Sequence, residues 1–250
     1  MIEEGAIENA DYIIHLAGAG IADKRWTNKR KKEIADSRIK TANLLYEKVK
    51  ASNVILKAFI SASAIGYYGT VTTDKIHTED NLPARDFLGK TCQLWEKAAG
   101  QFSSLDIRTV KIRIGVVLAR DGGALPKMAL PVKLFAGAPI GSGNQYMPWI
   151  HVDDLCNIFI KVIESEEMNG IYNAVSPNHT TNKELTKAIA EILNKPLILP
   201  NVPAWFLKLI FGEMAGILLN GSRVSSEKIV REGVEFKYPE LERALRDIFK

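Results

Sequence analysis

The chain has 250 residues, of which 46% are hydrophobic and 25% charged, the balance of an ordinary soluble globular protein with room for one large α/β domain. Its 33 basic and 29 acidic side chains leave a formal charge of +4, too small an excess to argue for a nucleic-acid partner. Two cysteines, Cys92 and Cys156, lie far apart without metal-ligand spacing; they suit a reducing compartment and no metal site is expected.

The acidic start Met1-Ile2-Glu3-Glu4 has no signal-peptide character, so a cytoplasmic protein is expected. Tyr12 to Ala17 is a short apolar run ended by Gly18-Ala19-Gly20, the pattern of a parallel strand buried on both faces. A helix is predicted from about Asn28 to Lys50, its basic run Lys29 to Lys32 read as a solvated face. A second strand, Leu56 to Ser61, opens into Ser63-Ala64-Ile65-Gly66-Tyr67-Tyr68-Gly69. A helix near Lys90 to Phe102 and a strand from Ile107 to Leu118 follow. This β-α-β-α-β order marks a parallel sheet with helices on both faces.

Residues 124 to 150 hold four of the ten prolines and read as short helix, turns and strands. Asp153 to Glu164 is predicted helical and Gly170 to Val175 a strand. Thr181-Asn182-Lys183-Glu184 is a capping box. The remainder reads as a small helical cap: Ala204 to Leu219, Ser226 to Arg231 and Glu240 to Phe249. Its most apolar part, Pro203 to Leu219, is interrupted by Lys208 and Glu213 and falls short of the roughly 18 uninterrupted apolar residues of a membrane span. No membrane partner is expected. No GxGxxG or GxxGxxG turn for a pyrophosphate occurs anywhere in the chain.

Several segments together resemble one family. His15-Leu16-Ala17-Gly18-Ala19 is similar to the fourth strand of extended short-chain dehydrogenases/reductases, and Ser61 to Gly69 to their fifth strand and active-site serine loop. Arg113-Ile114-Gly115-Val116-Val117-Leu118 resembles the sixth strand, and Trp149-Ile150-His151-Val152-Asp153-Asp154-Leu155 the motif before a substrate-domain helix. The turn Gly141-Ser142-Gly143-Asn144-Gln145 and the segments Phe211 to Ala215 and Gly221 to Val224 narrow the likeness to an atypical subgroup, the nucleoside-diphosphate-sugar epimerases with a small C-terminal domain. It runs from about residue 10 to the end.

The resemblance implies a partial doubly wound, Rossmann-like α/β fold. Residues 1–123 would be the remainder of that domain, 124–175 a mixed segment shared with the substrate cleft, and 176–250 the small C-terminal domain. It implies NAD or NADP as cofactor and a nucleotide sugar or similar polar small molecule as substrate. It also implies that the first two strand-helix units and a third strand, roughly 50 residues, are missing. The strand from Ile13 to Ala17 would then be a bare edge inviting a homodimer, or would be poorly ordered. A shortened chain unable to bind dinucleotide, or a catalytically silent binding protein, are the alternative readings.

The family's site residues transfer in part. By resemblance Leu16, Ala17, Gly18, Ser61, Arg38, Arg113 and Gly115 would face the cofactor, and Gln145, Met147, Trp149 and Arg223 the substrate. Arginine suits a pyrophosphate through paired hydrogen bonds, against a plain ion-pair role. Ser63 occupies the position of the substrate-orienting hydroxyl, against a local backbone bond. The family's Tyr-xxx-Lys pair is not found: Leu88 and Cys92 stand at its places, and Ser37 where many relatives carry asparagine. Tyr67, Tyr68 and His151 are the remaining acid/base candidates, weighed against packing for the phenols and helix anchoring for the histidine.

Overall fold

The computed structural model describes residue 3 and residues 5–52 and 54–250; the acidic start lies mostly outside them. The first apolar run forms β1 (Tyr12–His15), and the predicted helix is α1 (Asn28–Ala51), capped by Thr27 accepting from the Arg30 amide. β2 (Ala58–Ala64) is buried along nearly its whole length, as its unbroken apolar and small residues require. β3 (Ile76–His77) is a short piece in the following loop. α2 (Phe87–Gly100) starts on an Asp86 cap and ends in a 3-10 turn.

The single strand expected from Ile107 to Leu118 is two: β4 (Arg108–Ile114) and β5 (Val116–Leu118), in different sheets. Gly115 is the joint. Its amide donates to Ala174 while the next residue's donates to Pro148, so the chain changes partners within one peptide. The bend is tight enough that a Cβ on Gly115 would lie 2.7 Å from the Pro148 carbonyl oxygen and 2.9 Å from Val175.

Beyond β5 come α3 (Leu125–Lys133), β6 (Trp149–His151), α4 (Val152–Glu164), β7 (Gly170–Ala174) and α5 (Asn182–Ile192). The capping box at Thr181 and Glu184 forms in both directions. The helix expected from Ala204 to Leu219 is broken into α6 (Ala204–Phe211), a 3-10 turn, and α7 (Gly216–Leu219). Gly212 causes the break: its φ of 59° takes the chain out of the right-handed helical region at low cost only for glycine. β8 (Arg223–Val224), α8 (Glu227–Arg231) and α9 (Leu241–Ile248) complete the described chain.

The main sheet has the order β1-β2-β4-β7, every pair parallel. α1 and α2 cover one face through Val49, Phe59, Ala99 and Phe102; α4 and α8 cover the other through Ile60, Ile112, Ile158 and Ile229. A separate core around Trp149 and Leu118 joins β5 and β6 to α3, α5 and α9. β1 lies at the sheet's edge, laddered to β2 from Tyr12↔Ala58 to His15↔Ser61, with Ile14 and Leu16 exposed beside it. Among the described residues no helix is long and apolar enough to cross a membrane.

Gly115→Ala should destabilise the protein by about 1–3 kcal/mol, because the added methyl must push apart a backbone carbonyl and a packed valine. Urea denaturation read by circular dichroism would measure it.

Candidate functional site

The carboxyl ends of β1, β2 and β4 converge on a buried polar network. Glu96, on α2, faces Arg113, on β4, in a two-pronged ion pair: Nε to Oε1 at 2.8 Å and Nη2 to Oε2 at 2.9 Å. Ser63, on β2, donates its hydroxyl to the same Glu96 Oε1 at 2.7 Å. Arg113 also donates Nη1 to the Tyr68 hydroxyl at 2.9 Å and to the Glu79 carbonyl at 3.1 Å. Tyr68 donates its own hydroxyl to Asn173 Oδ1 at 2.7 Å, and Glu79 Oε1 accepts from the Asn173 backbone amide at 2.8 Å. With Arg113 only 1% and Glu96 only 7% exposed, each charge needs the other; burial opposes the Arg113 charge, but Glu96 outweighs it and holds the guanidinium protonated.

This network settles several side chains. Ser63 is committed to Glu96 and does not present a free hydroxyl to a cleft. Tyr68 is buried, and burial pushes its phenol up to about 12, leaving it a poor acid or base near neutrality. Tyr67 is only half-buried, and the Arg113 guanidinium lies face-on over its ring at 3.4 Å. Leu88 and Cys92, at the places of the missing tyrosine and lysine, pack inward under the Gly66 turn, where a Cβ on Gly66 would lie 3.3 Å from Leu88. Burial, then Glu96, pushes the Cys92 thiol up to about 12, which keeps it protonated and inert.

Next to the network lies an open ledge. Leu16 is 60% exposed and Ala17 and Gly18 are exposed beside it, past the end of β1. Ser37 accepts from the Ala19 amide at 2.9 Å, and Arg38 donates Nη1 to the Ala19 and Ile34 carbonyls at 3.0 and 2.9 Å. Arg38 thus braces the ledge from behind and has its donors partly engaged. Ser61 is buried and donates to the Ala62 carbonyl, while the buried His15 imidazole meets Thr41 at 2.8 Å.

The expected substrate residues are mostly interior. Trp149 is wholly buried, its indole donating to Thr180 at 3.0 Å, and Met147 packs in the same core. Gln145 is buried and its amide holds the Ile140 and Leu218 carbonyls at 3.0 and 2.8 Å. These three shape the wall of the second core; they do not line an open cleft. Arg223 is half-buried, its guanidinium 5.2 Å from the Tyr146 ring and Nη1 3.4 Å from the Asp74 carbonyl. Gly115, assigned to the cofactor by resemblance, is occupied by the strand joint.

His151 caps α4: Nδ1 accepts from the Asp153 amide at 3.1 Å, and Nε2 is buried 3.6 Å from Asp247. Burial pulls its pKa down against the opposing pull of Asp153, Asp154 and Asp247. Asp154 does not serve the helix end but receives the Lys237 and Tyr238 amides at 2.7 and 3.0 Å, clamping the C-terminal segment. Among the described residues no group of three metal-ligating side chains comes together.

A strap roofs this end of the sheet. Between Gly212 and Val224 the chain is pinned by a Lys31–Glu213 ion pair, by Gly221 donating to Thr72, and by Ser222 donating to the Gly69 and Val71 carbonyls. β8 then pairs with β3.

The model of the family described as "NAD dependent epimerase/dehydratase family" matches residues 2–174, well over half the chain. The chain belongs to that family. A second model, described only as a domain of unknown function (DUF1731), matches residues 202–248 of the chain. The chain is 38% identical over 246 residues to "Epimerase family protein YfhF" of Bacillus subtilis, covering 98% of this chain and 80% of that protein. It is 36% identical over 251 residues to "Epimerase family protein SDR39U1" of Mus musculus, covering 99% and 85%. The crystal structure of human SDR39U1 (isoform2) with NADPH superposes with a TM-score of 0.89 at 33% identity, covering 96% of this chain and 81% of that one.

Family membership supports NAD or NADP as the cofactor class. Because the family match already begins at residue 2, it lends no support to the expectation that the nucleotide-binding half is missing. The functional residue absent from the sequence-based candidates is Glu96. The signal was present: Cys92, Trp95 and Ala99 make a buried stripe at helical spacing, and an acid inside such a stripe must be paired.

Glu96→Ala should cost about 3–5 kcal/mol in a urea titration, since it strands the buried Arg113 charge. His151→Asn should keep the cap yet flatten the pH dependence of stability. His151 titrates lower folded than unfolded, so its contribution is present above about pH 6.5 and lost on acidification. Thermal melts between neutrality and mild acid should show a smaller fall for the variant.

Proposed function

We propose that the chain is an NAD(P)-dependent oxidoreductase of the epimerase/dehydratase type, acting on a nucleotide sugar or a similarly polar metabolite. The observation that carries this is the exposed Leu16-Ala17-Gly18 ledge at the carboxyl end of β1, in a chain whose fold matches an NADPH-bound relative. Ligands of open α/β sheets sit at this end of the strands.

The residues present fit one end of a dinucleotide. Gly18 leaves the ledge without a side chain, and Arg38 lies close behind it, where a Cβ would come within 2.8 Å of the guanidinium carbon. Ala17 and Gly18 would hold a flat ring against the sheet. The described residues contain no glycine-rich pyrophosphate turn, and no step is derived through that part. When bound, the nicotinamide would accept or return a hydride.

Tyr67 is the phenol best placed to hold or move a proton at the substrate oxygen. It is only half-buried, with the Arg113 guanidinium stacked on its ring. Ser63 acts on Tyr67 only through Glu96 and Arg113. Arg223, half-buried, suits a substrate phosphate.

A second reading has its own observation. With Ser63 tied to Glu96, and Leu88 and Cys92 buried at the places of the tyrosine and lysine, the geometry also suits a binding protein that holds dinucleotide without turnover.

Fluorescence titration of NADH and NADPH, followed by assay with nucleotide sugars, separates these. The enzyme reading expects binding and turnover that falls about a hundredfold or more in Tyr67→Phe and little in Tyr68→Phe. Binding without nicotinamide redox change assigns the second reading; no binding removes both.

A further inference from the structure

We infer that α6 is a peripheral docking element for an anionic lipid surface. From Pro196 to Gly212 the chain holds one charged residue, Lys208, and no acid. Such a segment normally forms core. Here it does not: Trp205 is 67%, Phe206 43%, Leu209 69% and Ile210 47% exposed, and Leu207 is the one residue of α6 that is buried. The four exposed side chains fall at positions i, i+1, i+4 and i+5, which is one face of a helix. Apolar faces of this size on a monomer mark an interaction site.

Charge decides the occupant. Arg25 packs against Gly212 at the end of α6, and among the described residues neither Arg25 nor Lys208 enters an ion pair. The acid at that end, Glu213, is neutralised by Lys31. The apolar face therefore carries uncompensated positive charge at its rim. Two copies joined through this face about a two-fold axis would bring their cations toward one another around the buried patch. Lipid headgroups of negative charge satisfy them, while tryptophan beside lysine is the pairing suited to a bilayer's interfacial zone. The inference stands independently of the cofactor reading.

The test is flotation of the full chain with phosphatidylcholine vesicles, with and without about one-third phosphatidylglycerol. The wild-type chain should float with the anionic vesicles and far less with the neutral ones. Trp205→Ser and Leu209→Ser should each weaken partitioning about tenfold. Lys208→Ser should weaken it about fivefold on anionic vesicles alone. The substituted side chains are exposed, so urea midpoints should stay unchanged. A wild-type chain that does not float overturns the inference, as does flotation indifferent to both apolar variants. A dimer in light scattering that Leu209→Ser dissociates, without flotation, assigns the face to a second copy instead.

Discussion

The carboxyl end of the sheet depends on one buried ion pair, Glu96 with Arg113. Removing two charges from water is costly, and the cost is offset by the two-pronged pairing together with three further hydrogen bonds to the pair. Ser63, Tyr68 and the Glu79 carbonyl make those bonds. A strand, a helix, a 3-10 turn and a distant loop are thereby fixed to one another by chemistry that tolerates no substitution of either partner alone. Tyr67 inherits its orientation from this arrangement, because its ring lies against the guanidinium plane.

The same pair also bears on residues 88 and 92, where the resemblance to the family would place a tyrosine and a lysine. A tyrosine at residue 88 would have to share the space under Gly66, and a lysine at residue 92 would add a third charge next to Glu96 and Arg113. Leu88 and Cys92 are instead apolar packing against that network. The polar interior of α2 serves structure, while the Ala17-Gly18 ledge and Tyr67 stay outside that buried network.

Much of the fold was legible because its signals are local. The apolar runs of β1 and β2, the Thr181–Glu184 box and the helical stripe of α2 each follow from neighbouring residues. The misreadings share another cause. Between β4 and Val116 to Leu118 the one local mark is Gly115; what turns it into a change of sheet is the packing of Pro148 and Val175, more than thirty residues on. Gly212 is visible as a glycine, but that it takes a positive φ and ends α6 is not written in its neighbours. For the site, motif position placed Trp149 and Met147 near ligand, whereas their size and the surrounding apolar residues drew them into the second core. Sequence order carries where a segment lies along a strand, and burial decides which way each side chain serves.

The second core has one more property. Its closing element, α9, packs on α5 and β5, and Arg120 Nε reaches the Ile248 carbonyl at 2.9 Å across 128 positions of chain. Such contacts form late, because the entropy of closing so long a loop must be overcome before they return anything. During synthesis the parallel sheet can assemble while Trp149 still lacks its neighbours from residues 241–248. The nascent chain therefore passes through a stage in which half its interior is complete and the other half is an open apolar basin, the stage at which a chaperone would have most to hold.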